Sequence, residues 1–204
     1  MTPSECARLS SSRCAFGWIR GLRLGQVLLG RVLRPFPMMC AGRMGLTSPR
    51  KELLVSDVSI RPSIGAAEHP ALVAIWRGAV DATHNFLADA DRDEIEARLR
   101  SDYFPAVVLS VAERDGRPVG FSGVLDGTLE MLFVDATQRG GGIGTALLSH
   151  AITEQGVTKV DVNEQNVSAA GFYVHRGFEI VGRSETDEAG RPYPLLHLRF
   201  GRPS

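Results

Sequence analysis

The sequence predicts an α+β fold, in which a mostly antiparallel, twisted sheet of six to seven strands is flanked by about four helices. Three observations lead to this prediction. Two segments with helical spacing of apolar residues follow a short opening strand, three strand patterns joined by two-residue turns come next, and a glycine-rich run then opens a further helix. A run of neighbouring strands of this kind indicates antiparallel pairing.

Helices are predicted where apolar residues recur every three or four positions. After Pro70, Leu72 and Ile75 begin such a series, and Ile95 and Leu99 continue the pattern among charged residues. Pro105 is expected to end this helical stretch. The predicted helices are residues 70–82, 89–102, 143–155 and 168–176.

Strands are predicted from short apolar or alternating runs bounded by turn residues. The dipeptides Asp115-Gly116 and Asp126-Gly127 are strong signals for two-residue hairpin turns. They connect the second, third and fourth strands into an antiparallel meander. The predicted strands are residues 56–62, 106–112, 118–124, 128–135, 157–162, 178–183 and 195–200.

Charge divides the chain into two parts. Residues 1–50 contain eight arginines and one glutamate, a net charge of +7, whereas residues 51–204 carry −7. We therefore expect an Arg-rich N-terminal extension, residues 1–55, followed by a folded domain, residues 56–204. The acidic domain argues against nucleic acid as a partner.

The extension has two explanations that the sequence leaves open. Its Arg- and Ser-rich, acid-poor composition fits an organellar targeting segment, and it equally fits translated upstream DNA with a start at Met38, Met39, Met44 or later. Its longest uncharged piece, residues 24–30, is too short to span a bilayer. We expect a cytoplasmic protein without membrane association. The extension also holds all three cysteines, so the domain offers no thiol nucleophile.

The run from Gln138 to Thr145 contains four glycines between a strand and a helix. Backbone N–H groups at such a helix N-terminus converge on an anion, and glycine permits close approach, so the run predicts a phosphate or pyrophosphate site. A P-loop would need a lysine after Gly144, and neither frame of the glycines gives the G-x-G-x-x-G fingerprint. A glycine-rich turn without a ligand is the remaining structural alternative.

Two motifs resemble those of the GNAT acetyltransferase family. The run Gln138-Arg139-Gly140-Gly141-Gly142-Ile143-Gly144 matches its [QR]-x-x-G-x-[GA] signature, and Asn166-x-x-Ala169-x-x-x-Tyr173-x-x-x-Gly177-Phe178 matches its second segment. The two motifs have the order and spacing of the family, and the resemblance covers residues 58–200. Three further strings, at residues 80–87, 162–166 and 190–196, resemble the YjaB branch of small bacterial acetyltransferases. Ala136 departs from the pattern, since many members have proline there.

The resemblance implies a GNAT fold, acetyl-CoA as the donor substrate and N-acetyltransferase activity. It also implies which residues contact the donor. Asn166 and Tyr173 are expected near the pantetheine arm and the thioester sulfur. The remaining expected donor contacts are Leu132, Phe133 and Val134 on the strand and Arg139, Gly140, Gly141, Gly142, Ile143, Gly144 and Thr145 in the loop.

Tyr173 and Glu130 are the candidate catalytic residues. Tyr173 lies on the same helical face as Ala169 and is expected to protonate the departing sulfur, although a tyrosine tied into the core is the alternative. Glu130 alternates with Leu132 along the strand before the loop, so it either faces the cleft as a base or is an ordinary exposed strand residue. Without a cysteine in the domain, we expect direct transfer from acetyl-CoA to the amine.

The acceptor is not identified by the sequence. Candidate acceptor-site residues are Asp81 and His84 between the first two helices, Asn163 at a strand end, and Tyr193 between two prolines. The other histidines lack ligand partners at metal-binding spacing, so no metal is expected. A primary amine of a small molecule or protein is predicted as acceptor, with a non-catalytic acyl-CoA-binding or interaction module as the alternative. The protein is expected to be a monomer or homodimer.

Overall fold

The computed structural model describes residues 58–201, which form a seven-stranded mixed sheet with helices on both faces. The extension predicted for residues 1–55 lies outside the described residues. The strands are β1 (Val58–Pro62), β2 (Val108–Arg114), β3 (Arg117–Leu125), β4 (Thr128–Val134), β5 (Lys159–Asn163), β6 (Phe178–Ser184) and β7 (Leu195–Phe200). The helices are α1 (His69–Thr83), α2 (Asp89–Arg98), α3 (Phe104–Ala106), α4 (Ile143–Gln155) and α5 (Val167–Val174).

The strand order in the sheet is β1-β2-β3-β4-β5-β7-β6. Every neighbouring pair is antiparallel except β4 and β5, which are parallel. The two predicted hairpin turns are present: Asp115 and Gly116 have φ angles of 52° and 72°, and Asp126 and Gly127 have 48° and 74°. Positive φ at both central residues is the requirement of a type I′ turn. The predicted α+β class and mostly antiparallel sheet are confirmed.

The region around Pro105 differs from the prediction. The chain continues from α2 through a π-helical turn, Leu99–Tyr103, into the short helix α3, where Pro105 occupies a first-turn position. Proline is tolerated there because the first-turn N–H has no intrahelical acceptor. Tyr103 and Phe104 are each 2% exposed, and burying these rings accompanies the extra turn. Consequently β2 begins at Val108 instead of residue 106.

Two apolar layers cover opposite faces of the sheet. On one face, α1, α2 and α3 pack over β2, β3 and β4 around Phe121 and Phe133. On the other face, α4 and α5 pack around Leu129, Leu148 and Phe178. The predicted apolar stripes of α1 and α4 point inward, and Ile95 and Leu99 are buried as well. None of the helices in residues 58–201 combines the length and the apolar character needed to cross a membrane.

Candidate active site between strands β4 and β5

The sheet opens between its two parallel strands. Within residues 58–201, β4 and β5 pair at two positions, Thr128–Lys159 and Leu129–Val160. Beyond them, residues 131–134 of β4 and 161–163 of β5 form no ladder pairs with each other in the described part of the chain. Since backbone N–H and C=O groups require partners, this gap, the β4–β5 opening, suits an extended ligand that pairs like an added strand.

A β-bulge lies where the pairing stops. Gly123 of β3 pairs with Met131, and Val124 pairs with Leu129, so Glu130 is an extra residue on β4. A bulge bends its strand and increases the twist. The bend gives a physical reason for the separation of β4 from β5 beyond Leu129.

The glycine loop closes one side of the opening. Gly140 and Gly142 have φ angles of 81° and 79°, and Gly142 is the N-cap of α4. The first helical bond after this cap joins Ala146 N–H to the Gly142 carbonyl, so the preceding first-turn amides have no intrahelical acceptor. Ile143 is buried and anchors the loop. These free amides and the helix dipole form a cradle for an anion.

Two arginines from other elements flank this loop. Arg114, at the end of β2, donates to Gln138 Oε1 at 2.5 Å. Arg176 donates to Thr145 Oγ1 at 2.5 Å, and its guanidinium lies 3.9 Å from the centre of the Phe172 ring. Together with Arg139, they add positive charge around a cradle that the backbone alone would make only partially positive.

The three β4 residues that are expected to contact the donor, Leu132, Phe133 and Val134, point their side chains to different faces of the sheet. Phe133 is buried on the α1 face, with its ring edge-on to Trp76 and tilted against Phe121. Leu132 and Val134 are half-buried on the α4 face. Any contact between Phe133 and a ligand in the opening would therefore run through its backbone.

The side chains of Asn166 and His84 contact each other. Asn166 is the N-cap of α5, and its Oδ1 accepts from Ala169 N–H at 3.1 Å. Its Nδ2 lies 3.5 Å from His84 Nε2. His84 Nδ1 is 2.8 Å from Thr83 Oγ1. Burial, and secondarily the charge of Arg139, lower the pKa of His84 from 6.5 to about 4.

Tyr173 is almost fully buried on the inner side of α5. Its ring is edge-on to Phe172 at 5.1 Å and to Phe178 at 5.7 Å between ring centres. Burial raises the pKa of its hydroxyl well above the usual value of 10. The hydroxyl is therefore protonated throughout the neutral range, as a proton donor must be.

Glu130 lies at the bulge of β4. It is half-buried, as are Leu132 and Val134, and these three alternate with the buried Met131 and Phe133. The bulge lies on its N-terminal side, so Leu129 and Leu132 belong to the same apolar cluster although they are three positions apart. One of the carboxylate oxygens of Glu130 is buried. Its role as a base stays a prediction.

Tyr193 joins the β6–β7 loop to the N-terminal end of α2. Its hydroxyl donates to Asp91 Oδ2 at 2.5 Å and accepts from Ala88 N–H at 3.1 Å. Burial, and then the hydrogen bond to Asp91, raise the pKa of Tyr193. Its ring lies 6.2 Å from that of Phe86, which is 5.3 Å from the His84 ring. His84, Phe86 and Tyr193 thus form a continuous aromatic series.

The remaining two acceptor candidates have different surroundings. Asp81 is exposed on α1 and pairs with Arg77 and Arg92, so the structure does not bring it to the other candidates. Asn163 is 2% exposed at the end of β5. Its Oδ1 accepts from Gln165 N–H at 2.8 Å, and its Nδ2 is buried without a hydrogen-bond partner among the described residues. The N-cap of the following helix, α5, is Asn166 and not Asn163.

His197 on β7 contacts two polar side chains of neighbouring strands. His197 Nδ1 contacts Asp161 Oδ1 at 2.8 Å, and its Nε2 contacts Ser184 Oγ at 2.7 Å. Within residues 58–201, no three His, Cys, Asp or Glu side chains are grouped so as to hold a metal ion.

The comparisons with known proteins agree with this geometry. A family model described as acetyltransferase (GNAT) domain matches residues 105–180. The peptidyl-lysine N-acetyltransferase YjaB of Salmonella typhimurium is 48% identical over 134 residues, which are 65% of this chain and 92% of that protein. The chain belongs to the GNAT family.

Solved GNAT structures show the same fold. The solution structure of apo-form YjaB from Escherichia coli has a TM-score of 0.65 and 44% identity, covering 70% of this chain and 97% of that one. PaiA N-acetyltransferase from Thermoplasma acidophilum, solved in complex with coenzyme A, has a TM-score of 0.56 and 16% identity, covering 71% of this chain and 99% of that one. This GNAT chain, of the YjaB branch, is an acetyl-CoA-dependent N-acetyltransferase.

Sequence reasoning missed three residues beside the GNAT site. Arg114 and Arg176 reach the glycine loop from positions 24 and 31 residues away from their contacts. No local pattern marks either arginine. Phe86 is the third, and its place between His84 and Tyr193 depends on the packing of the β6–β7 loop.

Proposed function

We propose that this chain acetylates lysine side chains of proteins, by direct transfer from acetyl-CoA bound in the β4–β5 opening. The observation that carries the proposal is the unpaired edge of β4 beside a glycine loop with free amides. The name of the YjaB relatives, peptidyl-lysine N-acetyltransferase, supports a lysine acceptor.

The proposed donor site follows the geometry of the opening. Amides of residues 139–145 hold the pyrophosphate, with the charge of Arg139 beside them. Backbone groups of Leu132, Phe133 and Val134 pair with the pantetheine arm. Asn166 binds the arm through its amide, while its Oδ1 caps α5.

The proposed chemistry assigns two catalytic residues. Tyr173 donates a proton to the sulfur as the thioester breaks. Its raised pKa keeps the hydroxyl protonated at neutral pH. Glu130, at the bulge, removes a proton from the acceptor ammonium directly or through water. All three cysteines lie before residue 41, so the domain supplies no thiol for a covalent acetyl intermediate. Transfer therefore occurs in a ternary complex.

The proposed acceptor site lies on the α1 side of the opening. His84 and Tyr193 line it through the aromatic series, and the buried Asn163 Nδ2 offers a donor at the end of β5. Asp81 is left out because its carboxylate pairs with surface arginines. The proposal also includes a cytoplasmic location and a monomer or homodimer, which cell fractionation and sedimentation analysis test.

The direct experiment measures lysine acetylation by the full chain. Lysine-containing peptides with a blocked N-terminus are incubated with acetyl-CoA, while thiol release and peptide mass are followed. The control peptide has norleucine in place of lysine, and the matched enzyme variant Gly142→Val disrupts the left-handed N-cap of α4. We expect mass gain on lysine peptides alone and its loss in the variant. Thiol release with other amines but not with lysine peptides would refute the lysine acceptor.

A further inference from the structure

Arg176 lies at the side of the glycine loop without an acidic partner. It follows α5, and its guanidinium donates to Thr145 Oγ1 at 2.5 Å and to the Phe172 carbonyl at 3.2 Å. Thr145 belongs to the first turn of α4, so the first contact fixes the guanidinium beside that turn. Within residues 58–201, these two oxygens are its hydrogen-bond acceptors, and no carboxylate pairs with it.

The aromatic ring of Phe172 holds the arginine in place. The guanidinium carbon lies 3.9 Å from the centre of this ring. The ring itself lies beside the loop, since a Cβ built on Gly144 would be 3.6 Å from two of its carbon atoms. A planar guanidinium that is already stacked and held by two acceptors loses little conformational freedom when it binds a ligand.

Two of the terminal N–H groups of Arg176 are available to a ligand. A guanidinium has five N–H donors, and its Nη1 and Nη2 atoms carry two each. The protein uses one on each of these nitrogens, so each keeps a further N–H without a partner in the described part of the chain. The side chain is half-buried, so it is not closed off from solvent. Two N–H groups of one planar fork can bind two oxygens of a phosphate group.

The position of Arg176 separates it from the pyrophosphate cradle. In the proposed donor site, amides at the N-terminus of α4 bind the pyrophosphate along the helix axis. Arg176 instead contacts the side of the first turn, where it joins Thr145 of α4 to Phe172 of α5. Helix α5 follows β5, which is one wall of the opening, whereas Arg114 ends β2, on the far side of β3 and β4. Arg176 is therefore placed for a second phosphate of the donor, away from the helix axis.

We propose that Arg176 binds the 3′-phosphate on the ribose of acetyl-CoA, and that it thereby selects acetyl-CoA over acyl donors that lack this phosphate. This inference rests on the donor site of the proposed function. The 3′-phosphate is a monoester, with a charge of about −1.5 to −2 at neutral pH. Because no carboxylate of the described residues neutralises Arg176, this monoester is the group that its charge matches. Donors without it include 3′-dephospho-CoA and phosphopantetheine thioesters on carrier proteins.

The test measures binding of CoA and of 3′-dephospho-CoA to the full chain by calorimetry, without an acceptor. We expect the wild type to bind CoA about 10–100-fold more tightly, the usual contribution of hydrogen bonds between charged groups. In Arg176→Met, the affinity for CoA should fall to that for 3′-dephospho-CoA, which should itself change little. Methionine keeps an unbranched apolar side chain beside Phe172. Arg176→Lys should restore part of the preference, because it keeps the charge but not the planar fork.

Arg199→Met is the matched control. It removes the same charge from an exposed position of β7 opposite Lys159, at the end of β5 away from the opening, and it should keep the preference for CoA. Equal affinity of the wild type for the two nucleotides would overturn the proposal, and so would an undiminished preference in Arg176→Met. An equal loss for both nucleotides in that variant would assign Arg176 to the pyrophosphate and overturn it as well.

If Arg176→Met fails to fold, Arg176→Gln replaces it and is judged by the same ratio of affinities. Absence of binding by either nucleotide would refute the donor site and, with it, this inference. The lysine-peptide assay fails independently, because nucleotide binding needs no acceptor.

Discussion

Asn166 caps a helix and lies in the proposed donor site. Its Oδ1 satisfies an N–H of the first turn of α5, and its Nδ2 remains directed at His84. Capping fixes the rotamer, so the orientation of the amide in the site does not depend on a ligand. A cap of this kind is worth about 1 kcal/mol, which is enough to favour one rotamer strongly.

Removal of the Tyr173 hydroxyl tests its role as an acid. In Tyr173→Phe, we expect kcat to fall about 10²-fold, the low end of general-acid effects, because a thiolate leaves tolerably without protonation. The Phe172 and Phe178 ring contacts remain, so the thermal midpoint should change little. Turnover and thermal unfolding are measured on the same preparation. Equal turnover across the pH range would exclude the acid role.

The buried imidazole of His84 also makes stability depend on pH. Its pKa is about 4 in the folded chain, against about 6.5 when unfolded, so the unfolded state binds more protons between these values. The contribution of His84 to the free energy of unfolding is fully present above pH 6.5, and it is lost as the pH falls toward 4. The contribution of this residue is on the order of 3 kcal/mol.

His84→Gln should lack this part of the pH dependence. Denaturant unfolding of both proteins at several pH values between 4 and 7 gives the difference directly. Because carboxylates titrate in both proteins, their contribution cancels. Parallel stability curves would show that the ring is not kept neutral by the fold.

At the scale of elements, the two hairpins and the glycine loop depend on left-handed backbone at defined positions. Gly116 has a φ of 72°, and a Cβ there would meet nothing within 4 Å. Gly120, inside β3, has an ordinary φ, but a Cβ would lie 2.9 Å from the Phe133 carbonyl and 3.2 Å from Ile143 Cγ2. Position 116 requires glycine because its backbone is left-handed, and position 120 requires glycine because a Cβ would be too close to its neighbours.

These two glycines predict different costs when each is changed to alanine. Gly116→Ala should lower the free energy of unfolding by about 1–2 kcal/mol, the cost of left-handed backbone for an L-residue. Gly120→Ala should cost about 1–3 kcal/mol through overpacking against backbone, and it should also shift α4. Urea unfolding measures both costs, and acetyl-CoA affinity should weaken in Gly120→Ala alone. An unchanged affinity there would mean that α4 does not respond to the clash.

At the scale of the whole molecule, the β6–β7 loop connects parts that are distant in sequence. Tyr193 bonds Asp91 and Ala88, Arg191 pairs with Glu94, and the Pro194 carbonyl accepts from Glu164 N–H at 2.9 Å. The loop therefore links the α1–α2 region to the end of β5. It lies beside the site proposed for the acceptor.

Tyr193→Phe tests this connection. Loss of a hydrogen bond to a charged group, with a backbone N–H left unpaired, should destabilise the chain by about 1.5–3 kcal/mol. Glu94→Gln removes an exposed ion pair of the same loop and should cost no more than about 1 kcal/mol. Chemical unfolding compares them. Similar small effects would indicate that the loop is not held by Tyr193.

The sequence predicted elements where the information is local. Period-two and period-3.6 patterns, Asp-Gly turns and the glycine run depend on neighbouring residues, and helix α4 and strand β7 have their predicted boundaries. It misplaced the region near Pro105, because the burial of Tyr103 and Phe104 that favours the extra turn comes from contacts with distant residues. The bulge at Glu130 was not predicted for a related reason, since a bulge is defined by pairing with β3.

The sequence by itself determined the fold class, the family and the position of the glycine loop, because each is encoded in short, contiguous patterns. Only the tertiary structure decided how the site is completed. The opening beyond Leu129, the arginines at the loop and the contact between His84 and Asn166 join residues up to 82 positions apart. Long-range distances of this kind are set by the packing of the two apolar layers on the sheet, which no local pattern contains.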